Sequence, residues 1–299
     1  MKILLLGKNG QVGWELQRAL QPLGQVIALD RAGECGLVGN LGDLPGLRRT
    51  LCDLKPDVVV NAAAYTAVDK AESEPALARR INAEAPAILA ECMQKLGGWL
   101  VHYSTDYVFN GSGQQPWRED QRTAPLSVYG QTKLEGEHAI QSSDCKHLIF
   151  RTSWVYAAHG NNFAKTMLRL AAEREQLRII DDQVGAPTGA ELIADITAHC
   201  LRTARNKPEA SGLYHLAAAG EVSWHGYASF VIEQARQAGQ ELAVRKIAAI
   251  TTADYPTPAQ RPLNSRLDCS KLRDTFGLHL PDWQNGVERL LLETQGYSS

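Results

Sequence analysis

Along the first half of the chain, short apolar runs alternate with stretches whose apolar positions recur at helical spacing. Lys2–Leu6 reads as a strand, followed by a helix over Gln11–Leu20 that carries Val12, Leu16, Ala19 and Leu20. Val26–Leu29 predicts a second strand and Asp43–Cys52 a second helix, with Leu44, Leu47 and Leu51 on it. Val58–Val60 is a third strand, apolar throughout, as a strand buried on both faces should be. A long helix over Ser73–Lys95, a fourth strand at Trp99–His102, a helix over Val128–Ile140 and a fifth strand at His147–Phe150 continue the series.

That β-α-β-α order implies an α/β fold, a Rossmann-type doubly wound parallel sheet with helices on both faces and its ligand at the carboxyl ends of the strands. The residues that end the strands therefore matter: Gly7, Asp30, Asn61, Ser104 with Thr105, and Arg151 with Thr152. After about residue 153 the pattern loosens. Asn162–Glu173, Ala190–Thr203, Ser223–Gln237 and Val287–Glu293 read as helices, Arg178–Ile180 and Tyr214–Leu216 as short strands. Asn206–Gly212 and the proline-rich Tyr255–Asn264 read as loops. The expected division is a dinucleotide-binding domain over 1–153, completed by part of 180–205, with 154–179 and 206–299 forming a smaller C-terminal substrate-binding domain.

Charge removes some partners. With 31 basic and 33 acidic residues and no long run of either sign, nothing in the chain attracts nucleic acid or an anionic membrane surface. No apolar stretch is long enough to span a bilayer, and the apolar run within Met1–Leu6 is too short for a signal peptide. A cytoplasmic protein is expected. Cys35, Cys52, Cys92, Cys145, Cys200 and Cys269 lie at least 17 positions apart, which suits separate reduced thiols rather than zinc pairs or a disulfide scaffold. The eight histidines show no metal-binding spacing either.

Three motifs carry chemistry. Gly7-Lys8-Asn9-Gly10-Gln11-Val12-Gly13 follows the first strand and opens the first helix, where glycines permit a tight turn and close approach of backbone to a pyrophosphate. The alternative is an ordinary glycine-rich turn. Asp30 ends the second strand, where a carboxylate accepts from an adenosine ribose, while the adjacent Arg31 could accommodate a 2′-phosphate instead, so NAD and NADP both stay open. Tyr129 and Lys133 are four apart on a helix and share a face, and an ammonium beside a phenol favours the phenolate. Chance alone supplies roughly 0.3 such pairs per chain. Ser104-Thr105-Asp106 adds weight, since a hydroxyl at the end of the fourth strand could hold a carbonyl oxygen against that tyrosine; read alone it is equally a polar strand-ending turn.

Together these features resemble the short-chain dehydrogenase/reductase superfamily, and the G-x2-G-x2-G spacing with the long C-terminal part resembles its extended branch. Longer blocks resemble one family of that branch, the dTDP-4-dehydrorhamnose reductases. They are Asn61-Ala-Ala-Ala-Tyr-Thr-Ala-Val-Asp-Lys-Ala-Glu72, Ser104-Thr-Asp-Tyr-Val-Phe109, Arg151-Thr-Ser-Trp-Val-Tyr156, Asp182-Gln-Val-Gly-Ala-Pro-Thr188 and Arg261-Pro-Leu-Asn-Ser-Arg-Leu-Asp268. The resemblance covers essentially the whole chain.

It implies reduction of a nucleotide-sugar C4 ketone with NADH or NADPH. Tyr129 would give the proton, Lys133 would hold the nicotinamide ribose and lower the tyrosine pKa, and Thr105 would bond the substrate oxygen, with Asp106 on the sugar. Gly7, Gly10, Gln11, Val12 and Gly13 would form the pyrophosphate loop, Asp30 the ribose contact, and Ala63, Ala64 and Tyr65 the bed of the cofactor. Asn40-Leu41 stands where the family usually has Asp-Leu or Asp-Phe near the adenine. Trp154 would face the sugar rather than fill the core, and Arg261 would pair with the substrate diphosphate rather than stand free at the surface. Enteric members imply a homodimer with Mg2+ on carboxylates matching Glu15, Glu191 and Glu293. Two other readings compete. An epimerase or dehydratase of the same branch would keep its NAD bound, but dehydratases have Glu where Tyr107 follows Asp106. A non-catalytic subunit like the regulatory partner of methionine adenosyltransferase would show a degraded catalytic set, whereas Thr105, Tyr129 and Lys133 are intact.

Overall fold

In the computed structural model, which describes residues 1–295, the first five strands are β1 (Lys2–Leu6), β2 (Gln25–Leu29), β3 (Val58–Asn61), β4 (Trp99–Thr105) and β5 (Lys146–Thr152). They lie parallel in the order β2-β1-β3-β4-β5, and Gly212–His215 closes the sheet beside β5. The strands are apolar on both faces because helices cover both. On one face Ile3, Leu5, Val60, Val101 and Phe150 pack with Leu16 of α1 (Gln11–Ala19) and with Ile193 and Leu201 of the Ala190–Asn206 helix. On the other, Leu4, Leu6, Val59, Leu100 and Ile149 pack with Leu47 and Leu51 of α2 (Leu44–Leu54). Each such side chain stabilises by roughly 1.5–3 kcal/mol when fully buried, so two-sided burial holds these short strands in place.

Several elements differ from the periodicity. Asp43 does not begin α2 but caps it, its carboxylate accepting from Gly46 N–H at 2.9 Å. The long helix expected over Ser73–Lys95 is interrupted. After α3 (Val68–Ala71), α4 (Pro75–Arg79) runs through a π-helical turn at Arg80–Glu84 into α5 (Ala85–Leu96). Pro86 has no N–H to offer the preceding turn, and the bulge turns Asn82 inward. There its amide bonds Tyr65 N–H (2.8 Å), the Tyr65 carbonyl (3.1 Å) and Thr132 Oγ1 (3.2 Å). Strands β4 and β5 run on past their apolar cores to Thr105 and Thr152, which pair in register. The strand expected at Tyr214–Leu216 is Gly212–His215, and it joins the main sheet instead of the smaller C-terminal unit.

The C-terminal elements gather around a second, aromatic core. Tyr156, Tyr227, Val231, Trp283 and Val287 pack there between the Trp224–Gln237 and Trp283–Gln295 helices. A parallel pair, Gln176–Ile180 with Lys246–Ile250, flanks them. The second of these strands and the Ser270–Phe276 helix carried no strong pattern, Ala248 and Ala249 leaving the strand little apolar signature. Among the described residues no helix is long and apolar enough to cross a membrane. In the sheet order, β2 lies on one side of β1 and β3 on the other. That reversal opens a crevice at the carboxyl ends of β1 and β3, where such sheets bind their ligands.

Candidate active site

A cleft of about 920 Å3 occupies that crevice, lined from the glycine loop at one end to Tyr129, Lys133, Ser104 and Thr152 at the other. Gly7 turns with φ +89°, and a Cβ there would lie 2.8 Å from Ala63 N, so only glycine lets β1 and the segment after β3 approach this closely. At Gly13 a Cβ would stand 2.0 Å from the Gly7 carbonyl oxygen, which is what packs α1 onto the loop. Gly10 is the N-cap of α1, and no side chain caps that end. Gln11 and Val12, the first residues of α1, line the cleft beside it, and the first turn of a helix offers N–H groups suited to an anion.

Asp30, Arg31, Asn40 and Leu41 form another part of the cleft wall. The Asp30 carboxylate is held by Ala32 N–H (2.9 Å) and Asn9 Nδ2 (3.0 Å), which fixes it at the strand end. Ala63, Ala64 and Tyr65 form the floor, with the Tyr65 hydroxyl donating to Glu74 at 2.7 Å.

The reacting end is built by β4 and α6 (Val128–Gln141). Ser127 caps α6 by accepting from Gly130 N–H at 3.2 Å, which places Tyr129 and Lys133 on the turn facing the cleft. Tyr129 packs edge-on to Tyr107, with ring centroids 5.6 Å apart. Its low-dielectric surroundings push the phenol up to about 12; the Thr105 hydroxyl beside it pulls back and Asp106 adds to the rise. The lowering expected from Lys133 is not found: burial, Thr105 and Asp106 set the shift, and Lys133 does not offset it. Lys133 is itself buried, its ammonium donating to the Tyr103 carbonyl at 2.5 Å, and burial holds it down to about 8 against the pull of Glu137. Thr105 donates to the Asp106 carboxylate at 3.1 Å. Burial raises Asp106 to about 6 against the pull of the nearby Ser265 and Thr105 hydroxyls, and its Oδ2 has no partner. Ser104 and Thr152 hydroxyls are likewise buried without partners beside the cleft, a set of polar groups ready for a ligand oxygen.

Other expected residues have partners of their own. Trp154 takes a left-handed backbone (φ +49°) and stacks on Trp224 with ring centroids 3.6 Å apart. Gly185 is required under it, since a Cβ there would lie 2.9 Å from the indole. Arg261 makes a bidentate pair with Asp69 at 2.8 and 3.1 Å, tying the C-terminal loop to α3. Glu15, Glu191 and Glu293 do line one small recess with Tyr156 and Leu290. There Arg289 already meets Glu191 (3.4 Å) and Glu293 (2.9 Å), and Arg18 meets Glu15 (3.6 Å). Among the described residues no group of three acidic, histidine or cysteine side chains is placed to hold a metal ion. The three glutamates as arranged in one chain therefore do not fit the expected Mg2+.

Residues that periodicity passed over include Asn82, Tyr107, Ser265 and His102. A histidine inside the apolar run Trp99–Tyr103 was the available signal for the last of these.

A glycine loop at a helix N-terminus, strand-end hydroxyls and a Tyr/Lys pair in one cleft are the features of an NAD(P)H-dependent reductase of the short-chain dehydrogenase/reductase fold. The RmlD substrate binding domain family matches residues 1–295. The chain is 59% identical to a dTDP-4-dehydrorhamnose reductase of Shigella flexneri, covering 98% of each chain. Its structure is similar to that of a dTDP-4-dehydrorhamnose reductase from Clostridium acetobutylicum, with TM-score 0.87, 34% identity and coverage of 97% and 98%. It is similar also to one from Bacillus anthracis in complex with NADP, with TM-score 0.86, 32% identity and coverage of 98% and 99%. The chain belongs to the RmlD family, that of the dTDP-4-dehydrorhamnose reductases.

Proposed function

We propose that this chain reduces the C4 ketone of dTDP-4-dehydro-6-deoxy-L-mannose (dTDP-4-dehydrorhamnose) to give dTDP-L-rhamnose. The observation that carries the reading is that Tyr129, with the Thr105 hydroxyl beside it, and Lys133 line the same cleft as the glycine loop. The bound NADH or NADPH supplies the hydride. Gly7, Gly10, Gln11, Val12 and Gly13 would seat the pyrophosphate, with Asp30, Asn40, Leu41, Ala63, Ala64 and Tyr65 along the adenosine and ribose.

The ketone oxygen gains negative charge as C4 is reduced and needs a hydrogen bond and a proton there. Thr105 Oγ1 holds that oxygen, and Tyr129, whose phenol is protonated at neutral pH, delivers the proton from its Oη. Lys133 holds the ribose and returns a proton to Tyr129. Asp106, with an unpartnered Oδ2, takes a sugar hydroxyl. Trp154 presents the edge of its stack to the sugar. Arg261 reaches the diphosphate by exchanging Asp69 for it, both ends of that pair being partly exposed. Tyr107 after Asp106 leaves no additional acid for elimination of water, which favours simple reduction over a dehydratase, and the intact catalytic set argues against a purely regulatory subunit.

We include a cytoplasmic homodimer in the reading. Trp14 and Leu292, 50% and 63% exposed, lie near the Glu15/Glu293 recess and suit burial against a second copy. NADH deuterated on the transferred position tests the chemistry. Deuterium at C4 of the product sugar by NMR is expected, and deuterium elsewhere, or none, rejects it.

A further inference from the structure

His102 is buried, polar and unused by the reaction as described. It lies on the same face of β4 as Leu100, opposite Ile149 of β5 and beside the apolar cluster that contains Leu89 and Met93 of α5. Two side chains reach its ring: Asn61 Nδ2 is 3.1 Å from Nδ1, and Lys133 Nζ is 3.3 Å from Nε2. The other end of the Asn61 amide sets its orientation, because Oδ1 accepts the Ala63 N–H at 3.2 Å. Its NH2 group therefore donates to Nδ1. That nitrogen must keep its lone pair, so the one proton of the neutral imidazole sits on Nε2 and points at Lys133.

An ammonium has protons and no lone pair, so Nε2–H meets it proton to proton; a neutral amine would accept from it. The other groups around the pair do not cancel this. On α6, Glu137 lies one turn beyond Lys133, but its carboxylate is taken by Arg151 of β5 at 2.6 Å. From β4 the Tyr103 carbonyl accepts from Nζ, and β3 contributes only the neutral Asn61. The α5 side chains packed in that cluster, Leu89 and Met93 among them, are apolar, and the helix's charged Glu91 and Lys95 pair with each other away from it.

We propose that His102, fixed by Asn61 as its Nε2–H tautomer, is a positioning residue that destabilises the ammonium form of Lys133, making that lysine a proton carrier within the working pH range rather than a permanent cation. His102 itself stays neutral, since burial and the facing Lys133 hold it well below the usual imidazole range. The inference rests on Lys133 being a working group of the reductase site.

The test is the pH profile of kcat for the full-length enzyme between about pH 6 and 10. Asn61→Asp keeps an acceptor for Ala63 N–H but takes a proton from Nδ1, so the ring proton moves and Nε2 becomes an acceptor for the ammonium. The alkaline limb should rise by about one pH unit or more, the size of a hydrogen bond gained by a charged group. The double variant Asn61→Asp/His102→Leu should lose most of that rise. His102→Gln, whose carbonyl can turn to Nζ, should raise the limb as well. A limb within about 0.2 pH units of the parent in both Asn61→Asp and His102→Gln would overturn the proposal. So would a full shift in the double variant, which would mean charge alone. Lys133→Met separates the underlying reading: if it keeps both the parent turnover and the alkaline limb, Lys133 has no role in the site and the proposal falls with that reading.

Discussion

Gly10 and Gly13 sit three residues apart in one loop and answer to different demands, so alanine should fail differently at each. At Gly13 a Cβ would lie 2.0 Å from the Gly7 carbonyl oxygen and 2.7 Å from its carbon. Both are backbone atoms, so no side chain can rotate away and either α1 or the loop must shift. Overpacking of this kind costs roughly 1–3 kcal/mol. At roughly 2–4 °C per kcal/mol for a chain of this size, Gly13→Ala should melt roughly 2–12 °C below the parent. At Gly10 a Cβ meets only the Gly7 carbonyl oxygen, at 3.4 Å, so the fold accommodates it. What remains is a poorer N-cap, worth about 1 kcal/mol or less. In the proposed function the added methyl stands instead where the pyrophosphate would approach the helix N-terminus. Losing one hydrogen bond to a charged phosphate costs roughly 1.5–3 kcal/mol, or a roughly ten- to hundredfold rise in Kd. Thermal melts and titration calorimetry with NADH and NADPH read the two quantities separately. If Gly10→Ala binds both cofactors with the parent Kd, the loop is a structural turn and its assignment to the pyrophosphate is wrong.

Three further outcomes follow from the same geometry. Tyr129→Phe should bind cofactor nearly as the parent does and lose turnover by roughly 10²–10⁴-fold, the usual loss for a general acid; stopped-flow or steady-state rates near the parent would remove the assigned role. Arg151→Met strands the fully buried Glu137 carboxylate, now bonded at 2.6 Å, and should cost roughly 3–5 kcal/mol. Adding Glu137→Leu should recover most of it, and calorimetry showing equal loss in the single and double variants would contradict this. Burial raises the Asp106 carboxyl to about 6, above its unfolded value, so its favourable share of stability is complete below about pH 4 and is lost as pH rises through 6. Asp106→Asn should therefore gain on the parent between about pH 4 and 8, by up to roughly 3 kcal/mol, and melting curves that stay parallel over that range would refute it.

The alternation of apolar runs was enough to read the parallel sheet, because strands buried on both faces must be apolar throughout, as Val58–Val60 is. The glycine loop and the Tyr129/Lys133 pair were also legible, since their spacing is imposed by local geometry. What the pattern hid was set by tertiary partners. Asn82 reads as one more helical position, yet a π-turn aims it at Tyr65. His102 reads as the end of a strand, and only the fold brings Asn61 and Lys133 to its two nitrogens. The Asp69–Arg261 pair joins positions 192 apart, a closeness no local pattern encodes. Glu15, Glu191 and Glu293 do converge, but the arginines that meet their charges come from the same helices and were invisible as competitors.

The most direct measurement of the central claim mixes purified protein with enzymatically prepared dTDP-4-dehydrorhamnose and follows reduced-nicotinamide absorbance with NADH, then with NADPH. Substrate-dependent loss of absorbance with at least one of them, accompanied by dTDP-L-rhamnose, is the result expected. No loss with either, in protein that binds the cofactor, would contradict the assignment of this cleft to that ketone.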